Sequence, residues 1–161
     1  ARVIATAGSD EKAARCQELG ADVVINYRAE DEQQALLEAA AGGVNIYWET
    51  LREPNFDHIV AALAERGRVI LMAGRDARPE FPVGPFYVKE CSLHGIVMFK
   101  ASPAELRTCA DDINRWLAEG ALVSQVSQTL PLSEAAAAHR LQEESTLQKS
   151  GALAGKIVLL P

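Results

Sequence analysis

Two residues near the start of the chain carry the types that hold a phosphate: Gly8 and Lys12. A ribose hydroxyl pair calls for an acid, whereas a phosphate calls for cations and hydrogen-bond donors. The run Ala7-Gly8-Ser9 has no acid at its tip, and Lys12 lies about one helical turn further on. A second apolar run, residues 68–73, is followed by Gly74-Arg75. The histidines His58, His94 and His139 show no metal-ligand spacing, and Cys16, Cys91 and Cys109 lie too far apart for a zinc or redox pair. No Ser/His/Asp set and no isolated carboxylate pair stands out.

The elements that must position these residues follow from periodicity. Val3-Ile4 and the small residues after it read as a buried strand, Ser9 as a helix N-cap, and Asp10 and Glu11 as first-turn acids. That helix runs to Leu19 and stops at Gly20, with Ala13, Cys16 and Leu19 as its packing stripe. Residues 22–26 form the next strand, 30–41 a helix and 44–48 a strand. Asn55 then opens a helix with Phe56, Ile59, Val60 and Leu63 on one face, closed by Gly67. Residues 68–73 and 92–99 are the fourth and fifth strands, separated by a proline loop at 78–85. Ser102-Pro103-Ala104-Glu105 is a capping box, and Leu106, Cys109, Ile113, Trp116 and Leu117 make the stripe of the helix behind it. Residues 123–130 alternate loosely, 133–144 are helical and 156–160 form a last strand. Strands alternating with helices imply a parallel sheet covered on both faces.

Composition sets outer limits. With 161 residues the chain can bury a real core. Its net charge of -6, with no basic stripe carrying aromatics, argues against nucleic-acid binding. No apolar run reaches membrane-spanning length, and the N-terminus has no signal-peptide pattern. Three cysteines suit a reducing, cytoplasmic setting.

Taken in order, ATAGSDEKAARCQELGADVVINYR, GVNIYWETL, GRVILMAGR, LHGIVMF and GKIVLLP resemble zinc-independent medium-chain dehydrogenase/reductases, and within them the zeta-crystallin-type NADPH:quinone oxidoreductases. The resemblance covers essentially the whole chain. It implies an α/β fold: a partial Rossmann, doubly wound parallel sheet over residues 1–100. Residues 101–161 would then be a connecting helix and the C-terminal segment of a GroES-like catalytic domain. In the family that domain, the first Rossmann strand and its glycine-rich turn come earlier; none of them is found in this sequence. With strand order 3-2-1-4-5-6 the missing strand is central, between those at Val3 and Val44. The expectation is the C-terminal part of a longer polypeptide or a truncated copy. Standing alone, its gap must be filled by a partner chain or by collapse of the two halves.

The resemblance also assigns residues. Gly8 lies against the adenosine ribose, Lys12 pairs with a 2′-phosphate and Tyr27 occupies a ring-bearing position beside it, so the implied cofactor is NADPH. Asn55 matches an asparagine beside the cofactor, with a plain N-cap as the alternative. Met72, Ala73, Gly74 and Arg75 run past the nicotinamide ribose, and the backbone of Ile96, Val97 and Met98 meets the carboxamide. Some members add an arginine near the C-terminus; here Lys149 is the nearest cation. The implied activity is hydride transfer to a quinone or an α,β-unsaturated carbonyl, with substrate contacts mostly on the absent domain, catalytic residues unassigned and the chain alone weakly active or inactive. The alternatives are an enoyl reductase of the same superfamily, or a truncated non-catalytic assembly or RNA-associating module. A dimer or tetramer through the apolar edge strand Ser92–Phe99 is expected.

Overall fold

Local capping signals set most element starts. In the computed structural model, which describes residues 1–148 and 150–161, β1 (Ile4–Ala7) leads into α1 (Asp10–Glu18). Ser9 Oγ accepts the Lys12 N–H at 3.3 Å, and Gly20, at φ 101°, closes the helix as only glycine does readily. β2 (Val23–Asn26) pairs parallel with β1, Ile4 opposite Val23 and Ala7 opposite Asn26. α2 (Glu32–Ala39) is capped by Asp31, whose carboxylate accepts the Gln34 N–H.

β3 (Val44–Glu49), α3 (Phe56–Ala62), β4 (Leu63–Leu71), α4 (Val83–Val88) and β5 (Ser92–Gly95) follow. β3, β4 and β5 form a second parallel sheet in that order. β1 and β3 each keep one edge that pairs with no described strand, the place where the resemblance leaves a strand out. The two halves have not merged into one sheet. Side chains join them instead: Ile25, Leu36 and Ala62 pack together with Ile4, Val44 and Tyr47. Phe56, Ile59, Leu63 and Val69 make the second core cluster, with Val69 fully buried.

The described residues fall into two compact units, Ala1–Lys100 and Ala101–Pro161. In the second, α5 (Pro103–Ala118) starts at a full capping box. Ser102 and Glu105 bond reciprocally there, and those bonds hold the Glu105 carboxyl below its usual range. β6 (Val126–Pro131) and β7 (Lys156–Leu160) pair in parallel, with α6 (Ala135–Thr146) between them in sequence.

Several expectations need correction. The helix from Asn55 stops at Ala62, not Gly67: Leu63 is already extended (ψ 140°), and Lys89 Nζ donates to the carbonyls of Val60, Ala61 and Leu63 at 2.8, 3.1 and 2.7 Å. β4 therefore begins five residues early, with an irregular register against β3, and ends at Leu71. The fifth strand ends at Gly95 rather than Phe99. Its last rung is Ile96 N–H to Leu71 O; with β4 finished, residues 98–100 curl into a 3-10 turn. Pro85, expected in a loop, sits in the first turn of α4, where a missing N–H costs nothing. In the β3–β4–β5 sheet one face of β3 is left uncovered among the described residues. Val69 and Tyr47 share the core side, while Ile46 and Trp48 on the other side are 54% and 67% exposed. The stripe of α1 is only half-buried at Ala13 and Cys16 and exposed at Leu19.

Candidate functional site

Two groups of residues form at the carboxyl ends of the strands of the first unit. The first stands beyond β1 and β2. The Tyr27 N–H extends the ladder to Ala7 O at 3.1 Å, which carries the ring over Gly8. A Cβ built on Gly8 would collide with the Tyr27 hydroxyl and stand 2.8 Å from its Cζ, so the close approach requires glycine. Asn26 Nδ2 donates to Asp10 Oδ1 at 2.7 Å. The nearest acid is thus engaged by an amide, and the strand tip presents a phenolic hydroxyl, with Lys12 on the first turn of α1. Lys149, the nearest cation where some members of the family carry an arginine, lies outside the described residues.

The second group is a cleft of about 960 Å³ at the ends of β3, β4 and β5. Its walls are Arg52 and Glu53, residues 72–77, and Ile96, Val97, Phe99 and Lys100. Gly74 sits at φ 79°, and a Cβ there would stand 2.8 Å from the Arg52 carbonyl. That glycine lets the loops after β3 and β4 touch. Glu49, 4% exposed, ends β3 with its carboxylate accepting the Leu51 N–H at 2.5 Å and its carbonyl receiving the Met72 N–H at 3.4 Å. Trp48 Nε1 donates to the Met72 sulfur at 2.9 Å. Behind this wall Tyr47 is pushed up to about 12, first by burial, then by the charges of Glu49 and Glu32.

Of the residues singled out from the sequence, Met72, Ala73, Gly74, Arg75, Ile96 and Val97 meet in this cleft. Met98 begins the 3-10 turn, is 66% exposed and is not among the lining residues. Nor is Asn55, whose side chain accepts the His58 N–H at 3.2 Å as an N-cap. The sequence reading missed Arg52, Glu53, Asp76, Ala77, Phe99 and Lys100. Their one signal is position, just past the ends of parallel strands. Among the described residues no cluster of three or more His, Cys, Asp or Glu could hold a metal, and no helix is long and apolar enough to cross a membrane.

A parallel sheet with glycine turns and a cleft at its strand ends defines an open α/β fold of the kind that binds ligands beyond the carboxyl ends of its strands. The chain belongs to the zinc-binding dehydrogenase family, whose model matches residues 1–115. It is 27% identical to quinone oxidoreductase 1 of Escherichia coli over 95% of its own length and 49% of that enzyme's. Among solved structures it superposes on an NAD-dependent alcohol dehydrogenase with a TM-score of 0.79 and 32% identity, covering 99% of this chain and 44% of that one. It also superposes on CurA of Vibrio vulnificus in complex with NADPH, with a TM-score of 0.78 and 25% identity over 98% of this chain and 49% of that one. The chain thus spans about half or less of the length of these proteins. The medium-chain dehydrogenase/reductase resemblance and the partial Rossmann class expected from the sequence are both borne out.

Proposed function

We propose that this chain supplies the coenzyme site of an NADPH-dependent oxidoreductase that reduces a quinone or an α,β-unsaturated carbonyl. The observation that carries this is the cleft: it gathers six of the residues that the resemblance places at the nicotinamide end. The cofactor's reduced ring, when bound, supplies a hydride to an electron-poor carbon, and a proton completes the product. The chain's own residues bind and orient. Gly8 leaves room at the adenosine ribose, and Lys12 and the Tyr27 hydroxyl offer a cation and a donor for the 2′-phosphate. Gly74 lets backbone reach the nicotinamide ribose. The backbone of Ile96 and Val97 meets the carboxamide, while their side chains present an apolar wall that helps keep water out. Asn55 joins the cofactor only by leaving its cap.

In this reading residues 1–100 are the coenzyme part, and residues 101–161 the connecting helix and a portion of a GroES-like domain. The chemistry uses no zinc. The free edge of β5 is the route to a dimer, and three free cysteines fit a reducing compartment. The test uses the adenosine end alone, so it does not depend on a pyrophosphate turn. By calorimetry, 2′,5′-ADP should bind this chain roughly 10- to 150-fold more tightly than 5′-AMP, the span of one charge-assisted bond. Lys12→Met should remove most of that preference and Tyr27→Phe part of it. Equal affinities, or a preference untouched by Lys12→Met, refute the cofactor assignment.

A further inference from the structure

Each of three neighbouring strand ends delivers one cation to the cleft: Arg52 beyond β3, Arg75 beyond β4 and Lys100 beyond β5. None of these side chains forms an ion pair among the described residues. Ile96, Val97 and Met72 contribute apolar wall to the same cleft. Glu53 and Asp76 stand on the same walls, so one positive charge is left over. The nicotinamide ribose and carboxamide are uncharged and do not account for it.

We propose that the molecule reduced at this cleft is itself a monoanion: a small carboxylic acid whose apolar body, carrying the reducible double bond, lies on Ile96 and Val97, and whose carboxylate is taken by Arg75 and Lys100. The match is chemical. A guanidinium presents a planar fork to a carboxylate, and an ammonium on the neighbouring loop supplies a second charge. One surplus charge suits a monocarboxylate better than a diphosphate. A double bond conjugated to a free carboxylate resists hydride because the anion already feeds charge into it. Cations placed at the carboxylate offset that charge and stabilise what builds there as hydride arrives. Only the statement that the bound acid is reduced rests on the proposed function; its binding does not.

The probe is trans-cinnamate, with cinnamamide as its uncharged counterpart, titrated calorimetrically into the full 161-residue chain at low ionic strength. Cinnamate should bind roughly 5- to 30-fold more tightly than the amide, the combined effect of two exposed charge contacts. The preference should vanish in the Arg75→Gln/Lys100→Gln double variant. It should persist in Arg78→Gln, an exposed arginine outside the cleft. Equal binding of acid and amide, no cinnamate binding at millimolar concentration, or a preference that survives the double variant overturns the proposal. So does displacement of cinnamate by inorganic pyrophosphate at lower concentrations than cinnamate itself needs, which would give these cations to a cofactor phosphate. The 2′,5′-ADP titration reads the other end of the site, so the two readings fail separately.

Discussion

Replacing Lys89 by methionine keeps the length of the side chain and removes its charge. In the structure that ammonium lies 2.8, 3.1 and 2.7 Å from the carbonyl oxygens of Val60, Ala61 and Leu63. The last turn of α3 has no basic residue of its own, so Lys89 is the donor that its final carbonyls receive from outside the helix. A hydrogen bond to a charged group contributes about 1.5–3 kcal/mol net. Three acceptors share one half-buried ammonium that would otherwise be hydrated, so the total belongs near the value of a single good bond, about 2 kcal/mol. For a unit of 100 residues that is a fall of roughly 10 °C in the unfolding midpoint. The assay is urea and thermal unfolding followed by Trp48 emission in a Trp116→Phe background, so that the first unit alone is read. Amide exchange in the last turn of α3 should speed up in parallel. A loss below about 0.5 kcal/mol would show that the ammonium does not hold α3 and that the early end of this helix has another cause.

Ile59, 1% exposed in the larger core cluster, should cost about 2–5 kcal/mol on substitution by alanine, measured by urea midpoint. Gly74→Ala should destabilise by at least about 1–2 kcal/mol, because a Cβ at positive φ is strained and this one meets Arg52 O; an unchanged melting temperature would contradict the close approach of the two loops. Tyr47 makes a pH prediction. Its folded pKa is raised to about 12, so an unfolded chain loses the phenolic proton first, near pH 10. The stability it lends is intact below pH 10 and drains away as pH rises towards 12. Tyr47→Phe should flatten that alkaline limb, and parallel slopes in the two proteins would refute the burial argument.

The parts legible in the sequence are those decided within a few residues. Ser9, Asn55 and Ser102 each cap the helix that their position announces, because the bond spans only three residues. The cleft-lining run at 72–75 was legible for a similar reason: a strand, a glycine and a turn are contiguous. What could not be read is settled across the chain. β5 stops at Gly95 because β4, which ends twenty-four residues earlier, has run out of carbonyls to offer. α3 stops at Ala62 with a lysine twenty-seven residues on holding its end. Arg52 and Lys100 lie on loops without periodicity, and only the packing of three strand ends brings them to one cleft.

The interruption between β1 and β3 has a mechanical consequence. A continuous ladder would lock the pair Gly8 and Tyr27 to the cleft at Gly74 through a stiff lattice of amides. Here the coupling passes through the soft contacts of Ile25, Leu36 and Ala62 with Val44 and Tyr47. Among the described residues, a ligand reaching from Tyr27 to Gly74 would therefore rest on two sheets that meet through apolar side-chain packing.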